Sequence, residues 1–327
     1  MATISDVARK AGVSTATVSR ALNGKSTVDP ALVSKVREAA EELGYHPNGL
    51  ARNLRRQETA VLALIISDVE NPFFTSIARG VEDVAQTAGY SVVLCNSDEN
   101  ADKERRYIDV ALQERVAGVI LSPTDVSSSI ERLRRRGTPV VAVDRPLAES
   151  ISDQVLVDTR LAAREATEHL IAAGYERIGC VTGPAGVRTA DDRLAGYREA
   201  LAAAGRALRL ESRAEYRASG GSQATRELLA ESPDALLVAN SAMAIGTLEA
   251  LRAAGLQPGR DVGVVAFDDV PWATLIDPPL SVVAQPAYEI GSEAAKLLLA
   301  RIADPDLPPA ATTLGARLIE RGSTRRG

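Results

Sequence analysis

Residues 3–24 read TISDVARKAGVSTATVSRALNG, and this stretch decides how the beginning of the chain is interpreted. Thr3, followed three residues later by Asp6, predicts a capping box that opens a first helix. Gly12 supplies the left-handed residue that ends this helix, and Ser14 is a suitable N-cap for a second one. A helix, a tight glycine turn and a capped second helix form the pattern of a helix-turn-helix motif.

A third helix is expected next. Asp29 can cap it, Pro30 suits its first position, and apolar residues recur at helical spacing from Leu32 to Leu43. The sequence therefore predicts a head of three short helices. Such a head also exists as a purely structural bundle, and the motif alone leaves that alternative open.

The second helix of a helix-turn-helix motif presents its first turn to the major groove of DNA. Arg20 is the only long donor on its outward face and suits the O6/N7 pair of guanine. Thr15 and Ala16 are short and allow contact with thymine methyl groups. The residues of the head expected to contact DNA are Thr15, Ala16, Thr17, Arg20 and Asn23.

A short basic segment, residues 47–58, follows the head. Leu50 and Leu54 lie four residues apart with arginines around them, which suits a short helix that is marginal in water unless it binds DNA. A leucine flanked by arginines is typical of side chains that enter the minor groove and unstack a base step. A solvated basic linker is the alternative. The residues of this segment expected to contact DNA are Arg52, Asn53, Leu54 and Arg55.

Charge is divided unevenly along the 327 residues, whose net charge is −5. Residues 1–57 carry nine basic and five acidic side chains, a net of +4. The remainder carries 29 basic and 38 acidic side chains, a net of −9. A basic head on an acidic body indicates a nucleic-acid-binding segment fused to a domain of another kind.

Several function classes are disfavoured by composition. No apolar run approaches the roughly 20 residues of a membrane span, and the start MATISDVARK has no secretory signal, so we expect a cytoplasmic protein without a membrane partner. Cys95 and Cys180 lie in apolar runs and outside any CxxC pair, which favours buried free thiols. His46 and His169 lie far from both cysteines, so we expect no metal.

The body alternates short apolar runs with amphipathic stretches, which predicts an α/β fold with doubly wound parallel sheets. About 260 residues exceed one comfortable domain, so we expect two lobes. The predicted strands are Val61–Ile66, Tyr90–Cys95, Gly118–Leu121, Val140–Val143, Ile178–Val181, Ala235–Val238 and Val262–Phe267.

Polar residues follow almost every predicted strand, where ligands of open parallel sheets bind. Capping of the following helix is the alternative for each residue taken singly. The richest subset suits a sugar: the guanidiniums of Arg145 and Arg193 offer paired donors to hydroxyls, and Asp268 can accept from a hydroxyl pair. Phe73 and the lone Trp272 can stack on a ring, although Trp272 can equally plug the edge of a lobe.

Two other function classes are alternatives to a nucleic-acid-binding protein. An enzyme on this fold needs a phosphate loop, a nucleophile elbow or a dinucleotide fingerprint, and GPAGVR at 183–188 is none of these, so no catalytic residue and no cofactor are expected. A hydrolase using the paired carboxylates at 191–192 or 268–269 is the weaker alternative. A periplasmic-type sugar-binding module is the stronger one, which the basic head opposes.

Residues 3–56 resemble the amino-terminal head of the LacI/GalR family of bacterial transcription repressors, and the rest of the chain resembles that family's effector-binding body of periplasmic-binding-protein type. The resemblance implies that Thr15, Ala16 and Arg20 read bases and that Leu54 enters a central base step as two hinge helices pair. It also places at effector-contacting positions Phe73, Arg145, Arg193, Asn240, Asp268 and Gln285. Asp158-Thr159 departs from the Asp-Asn often found there.

The expected organisation is a helix-turn-helix domain (1–46), a hinge helix or linker (47–58), one lobe from 60–160 with 287–313, and a distal lobe from 161–286 with 314–327. We expect a homodimer on a near-palindromic double-stranded operator, controlled by a sugar or sugar phosphate bound between the lobes. An early apolar stripe of the body, at Phe74, Ile77, Val81 and Val84, is a candidate dimer surface that can equally pack on the sheet.

Overall fold

The computed structural model describes residues 3–22, 28–43, 59–124, 130–147 and 152–325. The chain divides into two compact units, Met1–Thr59 and Ala60–Gly327, which we call the head and the body. Within the described ranges, no helix has the length and apolar character needed to cross a bilayer.

The head contains three helices, α1 (Ile4–Ala11), α2 (Thr15–Leu22) and α3 (Pro30–Glu42). The predicted capping box is present, since the amide of Asp6 donates to Thr3 Oγ1 and Asp6 Oδ2 accepts from the amide of Thr3. Gly12 ends α1 at a φ of 66°. The helices pack around a small core made of Val7, Ala8, Ala11, Val18, Ala21, Val36, Ala39 and Ala40. The three-helix prediction is confirmed.

The body is built from strands that alternate with helices. Its strands are β1 (Val61–Ile66), β2 (Ser91–Asn96), β3 (Gly118–Leu121), β4 (Val140–Val143), β5 (Asp153–Val157), β6 (Ile178–Thr182), β7 (Leu210–Arg213), β8 (Ala235–Val238), β9 (Gly263–Phe267), β10 (Ser281–Ala284), β11 (Ala311–Leu314) and β12 (Arg317–Ile319). Its helices are α4 (Pro72–Thr87), α5 (Ala101–Gln113), α6 (Glu131–Arg135), α7 (Thr159–Ala172), α8 (Arg188–Ala203), α9 (Ala218–Leu229), α10 (Ser241–Ala253) and α11 (Ala287–Ala303).

The strands form two six-stranded sheets, and each sheet is the centre of one lobe. The first lobe has the order β11-β5-β4-β3-β1-β2, with every neighbouring pair parallel. The second lobe has the order β12-β10-β9-β8-β6-β7, in which β12 alone is antiparallel to its neighbour. Helices cover both faces of each sheet over separate apolar cores. The predicted doubly wound fold is confirmed.

The chain passes between the lobes three times. It leaves the first lobe after β5, returns after β10 to form α11 and β11, and leaves again to form β12. These passages lie side by side, because Val157 pairs with Leu314 and Ala284 pairs with Arg317. Helix α11 packs on α4 closely enough that a Cβ at Gly80 or Gly291 would collide with the facing backbone.

Two features of the body refine the expectations from the sequence. Strand β2 is not fully buried but lies at a sheet edge, where Val93 is 50% and Leu94 44% exposed. The apolar stripe on α4 is not a free surface, since Phe74, Ile77 and Val81 are buried in the core of the first lobe. The sheet already covers this side of the helix, so a dimer contact has to use other residues.

Candidate functional site

Strand ends position the predicted effector residues. Arg145, Asn240, Asp268 and Gln285 follow β4, β8, β9 and β10 within two residues of each strand. Asp144 and Asp268 adopt left-handed φ values of 65° and 76°, which aspartate tolerates better than most residues. Because parallel strands end at the same edge of a sheet, each lobe presents these groups to the cleft between the lobes.

One cavity of about 30 Å³ lies between the lobes. This volume is well below the roughly 300–1,000 Å³ of small-molecule sites, so the lining side chains have to shift to admit a sugar. Both lobes contribute to its lining, which consists of Asp68, Asn71, Phe73, Phe74, Glu99, Asp144, Arg145, Thr189, Arg193, Tyr216, Asn240, Asp268 and Gln285. Six of the seven predicted effector residues are among them.

Arg145 is 4% exposed and is held by Glu99 of the same lobe. Its Nη1 and Nη2 donate to the two carboxylate oxygens of Glu99 at 2.7 and 2.6 Å. Burial works against the charged guanidinium, but the hydrogen bonds and charge of Glu99 outweigh it and raise the pKa of Arg145. Its Nε lies 3.4 Å from Asp144 Oδ2 and makes no hydrogen bond within the described part of the chain.

Arg193 is the corresponding guanidinium of the second lobe and is 5% exposed. Its Nη1 donates to the carbonyl of Ala239 at 2.8 Å, and its Cζ lies 4.3 Å from the ring centroid of Phe267. The arginine is thus fixed by a backbone oxygen and a cation–π contact rather than by a direct carboxylate bond. Its Nε also has no hydrogen-bond partner among the described residues.

The remaining wall of the second lobe is a hydrogen-bonded group around Asp268. Gln285 Nε2 donates to Asp268 Oδ1 at 2.8 Å, and the amide of Ser241 donates to Oδ2 at 3.3 Å. Gln285 Oε1 is buried and accepts no hydrogen bond from any described residue. Asn240 caps α10, since its Oδ1 accepts from the amide of Met243 at 2.7 Å. Asn240 therefore both caps a helix and lines the cleft.

Two buried carboxyl groups in this cavity are perturbed in the same direction. Burial raises the pKa of Asp144, against the opposing charges of Arg145 and Arg193. Burial likewise raises the pKa of Asp268, against the charge of Arg193 and the hydrogen bond from Gln285. Such a site suits a ligand that can both donate hydrogen bonds to these carboxyl groups and accept them from the neighbouring arginines.

The aromatic predictions have different outcomes. Phe73 lines the cavity and meets Phe74 edge to face, with ring centroids 5.1 Å apart. Phe74 also lines the cavity, although it belongs to the core of the first lobe. Trp272 is not among the described lining residues and packs instead against the apolar core of the second lobe. The second interpretation of Trp272, as a plug at the edge of a lobe, agrees with this position.

Sequence reasoning did not assign two important lining residues. Glu99 follows β2 and reaches Arg145 from 46 positions away, a pairing that no local pattern announces. Asn71 caps α4 through the amide of Phe73 and also accepts from Ser241 Oγ of the second lobe at 3.5 Å. An asparagine before the proline of NPFF was the available signal for Asn71.

The head carries the second candidate site. Thr15, Ala16 and Arg20 are exposed on α2, as predicted for base-reading residues. Thr17 is half-buried, and its hydroxyl lies 2.9 Å from Ser14 Oγ, which also caps the helix. The other residues predicted to contact DNA lie outside the described residues, namely Asn23, Arg52, Asn53, Leu54 and Arg55. Their roles stay predictions.

No described residues form a cluster of three or more His, Cys, Asp or Glu side chains that could hold a metal ion. Cys95 and Cys180 are both buried and free. Burial raises the pKa of the Cys180 thiol to about 12, and it also raises that of Cys95.

Comparison with known proteins finds two matching family models. Residues 3–48 match the model for bacterial regulatory proteins of the lacI family, and residues 167–324 match a periplasmic binding protein-like domain. The ribose operon repressor of Escherichia coli K12 is 37% identical over 329 residues, which cover 99% of this chain and 100% of that repressor.

Solved structures agree with these matches. The lac repressor dimer bound to operator and the anti-inducer ONPF has a TM-score of 0.88 at 29% identity, covering 99% of both chains. A LacI family regulator from Enterococcus faecium with bound ribose has a TM-score of 0.72 at 28% identity, covering 80% of this chain and 98% of that one. These relatives are regulators of transcription rather than enzymes. Matched to such a repressor from end to end, the chain belongs to the LacI family of bacterial regulatory proteins.

Proposed function

We propose that the protein is a dimeric repressor of a metabolic operon whose affinity for operator DNA is set by a small sugar bound between the two lobes. The observation that carries this proposal is the cavity in the cleft, where six predicted effector residues meet. The buried polar atoms there that lack partners among the described residues include Arg145 Nε, Arg193 Nε and Gln285 Oε1. Buried polar atoms of this kind are costly unless a ligand or ordered water satisfies them.

A pentose is the sugar that the lining of the cavity and the relatives of this chain favour. Hydroxyl groups donate and accept at once, so neighbouring hydroxyls can accept from the two free Nε–H groups and donate to Gln285 Oε1. Phe73 offers an apolar edge to the C–H face of a ring. The ribose bound by the Enterococcus faecium regulator and the name of the Escherichia coli repressor support the same choice.

The mechanism follows from the side-by-side passages between the lobes. A ligand that contacts both lobes favours the lobe arrangement it fits, and it shifts the protein only by the difference in its affinity for the two arrangements. We propose that this arrangement sets whether the two basic segments at 47–58 can pair on a near-palindromic operator. Allosteric coupling of about 1–3 kcal/mol would change operator affinity roughly five- to 150-fold.

Dimer formation is assigned to exposed apolar residues that the body leaves at its surface. Val93 and Leu94 lie on the edge strand β2, beside a groove of about 480 Å³ that this strand forms with α4. In the second lobe, Leu275 is 81% exposed. Replacing Leu94 by Asp should convert the dimer to monomers, measured by light scattering on a sizing column. A dimer that persists in the Leu94→Asp variant would move the interface elsewhere.

We further propose the domain boundaries stated from the sequence, with one adjustment. Leu314 pairs with Val157 in the sheet of the first lobe, so that lobe extends one residue beyond 313. We also propose that the protein works in the cytoplasm, associated with the nucleoid through its head. Fluorescence microscopy of a tagged full-length chain tests this location.

The central experiment measures operator binding with and without ribose. A palindromic site is selected from random duplex DNA by the full-length chain, and affinity is measured by fluorescence anisotropy. Asp268→Ala should keep operator affinity and lose the ribose response, because Asp268 organises one wall of the cavity. Asp269→Ala is the matched control, since this neighbouring carboxylate pairs with Arg321 outside the cavity. Unchanged ribose affinity of Asp268→Ala in calorimetry would count against the assigned site.

A further inference from the structure

The cavity offers its free polar atoms in a combination that suits neutral polyols. Arg145 and Arg193 each have a buried N–H donor at Nε without a partner among the described residues, and Gln285 Oε1 is a buried acceptor in the same position. A hydroxyl group can meet either kind of atom, because it both donates and accepts. A phosphate group near neutral pH only accepts and carries a charge of −1.5 to −2. The free acceptor and the surrounding carboxylates therefore cannot donate a hydrogen bond to a phosphate.

Carboxylates outnumber guanidiniums in the lining. Asp68, Glu99, Asp144 and Asp268 face the cavity, against two arginines. Of these arginines, Arg145 is paired with Glu99, whose two carboxylate oxygens accept hydrogen bonds from its two terminal nitrogens. The two terminal nitrogens form one of the edges through which a guanidinium binds phosphate bidentately. In this protein Glu99 already occupies that part of Arg145.

A neighbouring cavity has the same charge character. This second cavity, of about 340 Å³, adjoins the first, and the two share Asp68, Glu99 and Tyr216. Asp98 and Glu215 add two further carboxylates to its lining, and Arg217 is its basic residue among those described. Arg217 is itself bonded to Asp98 at 2.7 Å. A phosphate ester that enters through this second cavity thus passes several carboxylates. The basic residue beside them, Arg217, is already paired with one of them.

We propose that Glu99 is a specificity-determining residue that makes this cleft select unphosphorylated sugars and reject their phosphate esters. The proposal rests on the function proposed above, since it concerns the same site. Glu99 acts in two ways: it occupies the phosphate-binding edge of Arg145, and it adds a negative charge that an acceptor-only dianion has to approach in a poorly solvated space. The repressor then responds to the free sugar before a kinase has modified it.

The test uses the full-length chain and isothermal titration calorimetry with two matched pairs of probes. These are D-ribose with D-ribose 5-phosphate, and D-glucose with D-glucose 6-phosphate. For the sugar that binds, we expect its ester to bind at least 100-fold more weakly to the wild-type chain. Glu99→Gln should reduce this ratio at least tenfold, mainly by strengthening ester binding, because it removes the charge and releases Arg145.

Two control variants separate charge from position. Glu70→Gln removes an equal charge from an exposed residue of the same lobe that is not in either lining, and it should keep the wild-type ratio. Glu99→Asp keeps the charge and should also keep discrimination within about threefold of the wild type. If Glu99→Gln does not fold, as judged by its melting curve, Glu99→Ser takes its place, because it removes the same charge and its hydroxyl oxygen can accept from Arg145.

The outcomes separate this inference from the proposed function. An ester that binds the wild type as tightly as its free sugar overturns the inference and leaves the sugar-binding function standing. An unchanged ratio in the charge-removing variant overturns the role of Glu99. Binding of none of the four probes to the wild type overturns the proposed function and the inference together.

Discussion

Arg217 of the second lobe donates a hydrogen bond of 2.7 Å to Asp98 of the first lobe, so an ion pair spans the mouth of the cleft. Both side chains are more than a third exposed, and exposed pairs contribute about 0.2–1 kcal/mol. The pair joins the lobes in the arrangement in which both contribute walls to one cavity. It therefore favours the arrangement that a ligand between the lobes also favours.

Arg217→Gln should weaken ribose binding by up to about fivefold, because the ligand then has to hold the lobes together without this ion pair. Calorimetry at low salt gives the largest effect, since salt screens exposed charges. Arg213→Gln is the matched control, because Arg213 makes an ion pair of the same length with Asp191 inside the second lobe. Equal effects of the two substitutions would contradict a role specific to the contact between the lobes.

Asp144→Asn should stabilise the ligand-free protein near neutral pH by about 0.5–2 kcal/mol. Burial raises the pKa of Asp144 in the folded state above its ordinary value. Between that ordinary value and the raised one the folded protein holds the proton more tightly, so stability falls as pH rises across this window. Asparagine removes this cost and tolerates the left-handed φ of 65°.

The gain from Asp144→Asn should shrink as pH falls back through the same window, as measured by urea unfolding at a series of pH values. Asp261→Asn is a control for which we expect the opposite change, a loss of stability near neutral pH. The hydrogen bond from Arg260 lowers the pKa of exposed Asp261, so its carboxylate favours the folded state at neutral pH. A loss of stability in Asp144→Asn would show that the contacts with Ser122 and Arg145 outweigh the cost of burial.

Ser14→Ala should weaken operator binding of the full-length chain several-fold. Ser14 Oγ accepts from the amide of Thr17 at 3.1 Å, and loss of an N-cap costs a helix about 1 kcal/mol. Helix α2 carries the exposed Thr15, Ala16 and Arg20, so fraying of its first turn displaces them. Ser34→Ala, at an exposed position inside α3, should leave DNA affinity unchanged in the same anisotropy titration.

Leu54→Ala should weaken operator binding and leave ribose affinity unchanged, since the sequence predicts that Leu54 enters a base step of the operator. Arg52→Ala should instead reduce the salt dependence of binding, because a phosphate contact releases counterions. Equal operator affinities of wild type and Leu54→Ala in a gel-shift titration would contradict the prediction that Leu54 enters a base step.

Local signals were sufficient to predict the head. Capping at Thr3, the glycine turn at Gly12 and capping at Asp29 each act within four residues, and all three are present. The buried strands of the body were predictable for the same reason, as continuous apolar runs. Short or half-exposed strands were missed, because runs such as LESR at 210–213 and RLI at 317–319 carry no clear pattern and become strands only through their neighbours.

The site was predictable where chemistry follows a strand end and unpredictable where it depends on distant pairing. Asp268 and Asn240 follow buried strands, and the resemblance placed both at the effector. Glu99 gains its role only from Arg145, which folding brings to it from another loop. Trp272 illustrates the converse, since a lone aromatic residue near a polar cluster packs into the core of the second lobe rather than into the lining.

The order of segments along the chain has a consequence for biosynthesis. The first lobe is complete only with α11 and β11, which are translated after the entire second lobe. Until residues 287–314 leave the ribosome, the face of α4 around Gly80 has no partner helix and apolar side chains such as Ile77 lack part of their cover. A nascent body is therefore open to aggregation or chaperone capture almost to the end of its synthesis, whereas the head can fold within the first fifty codons.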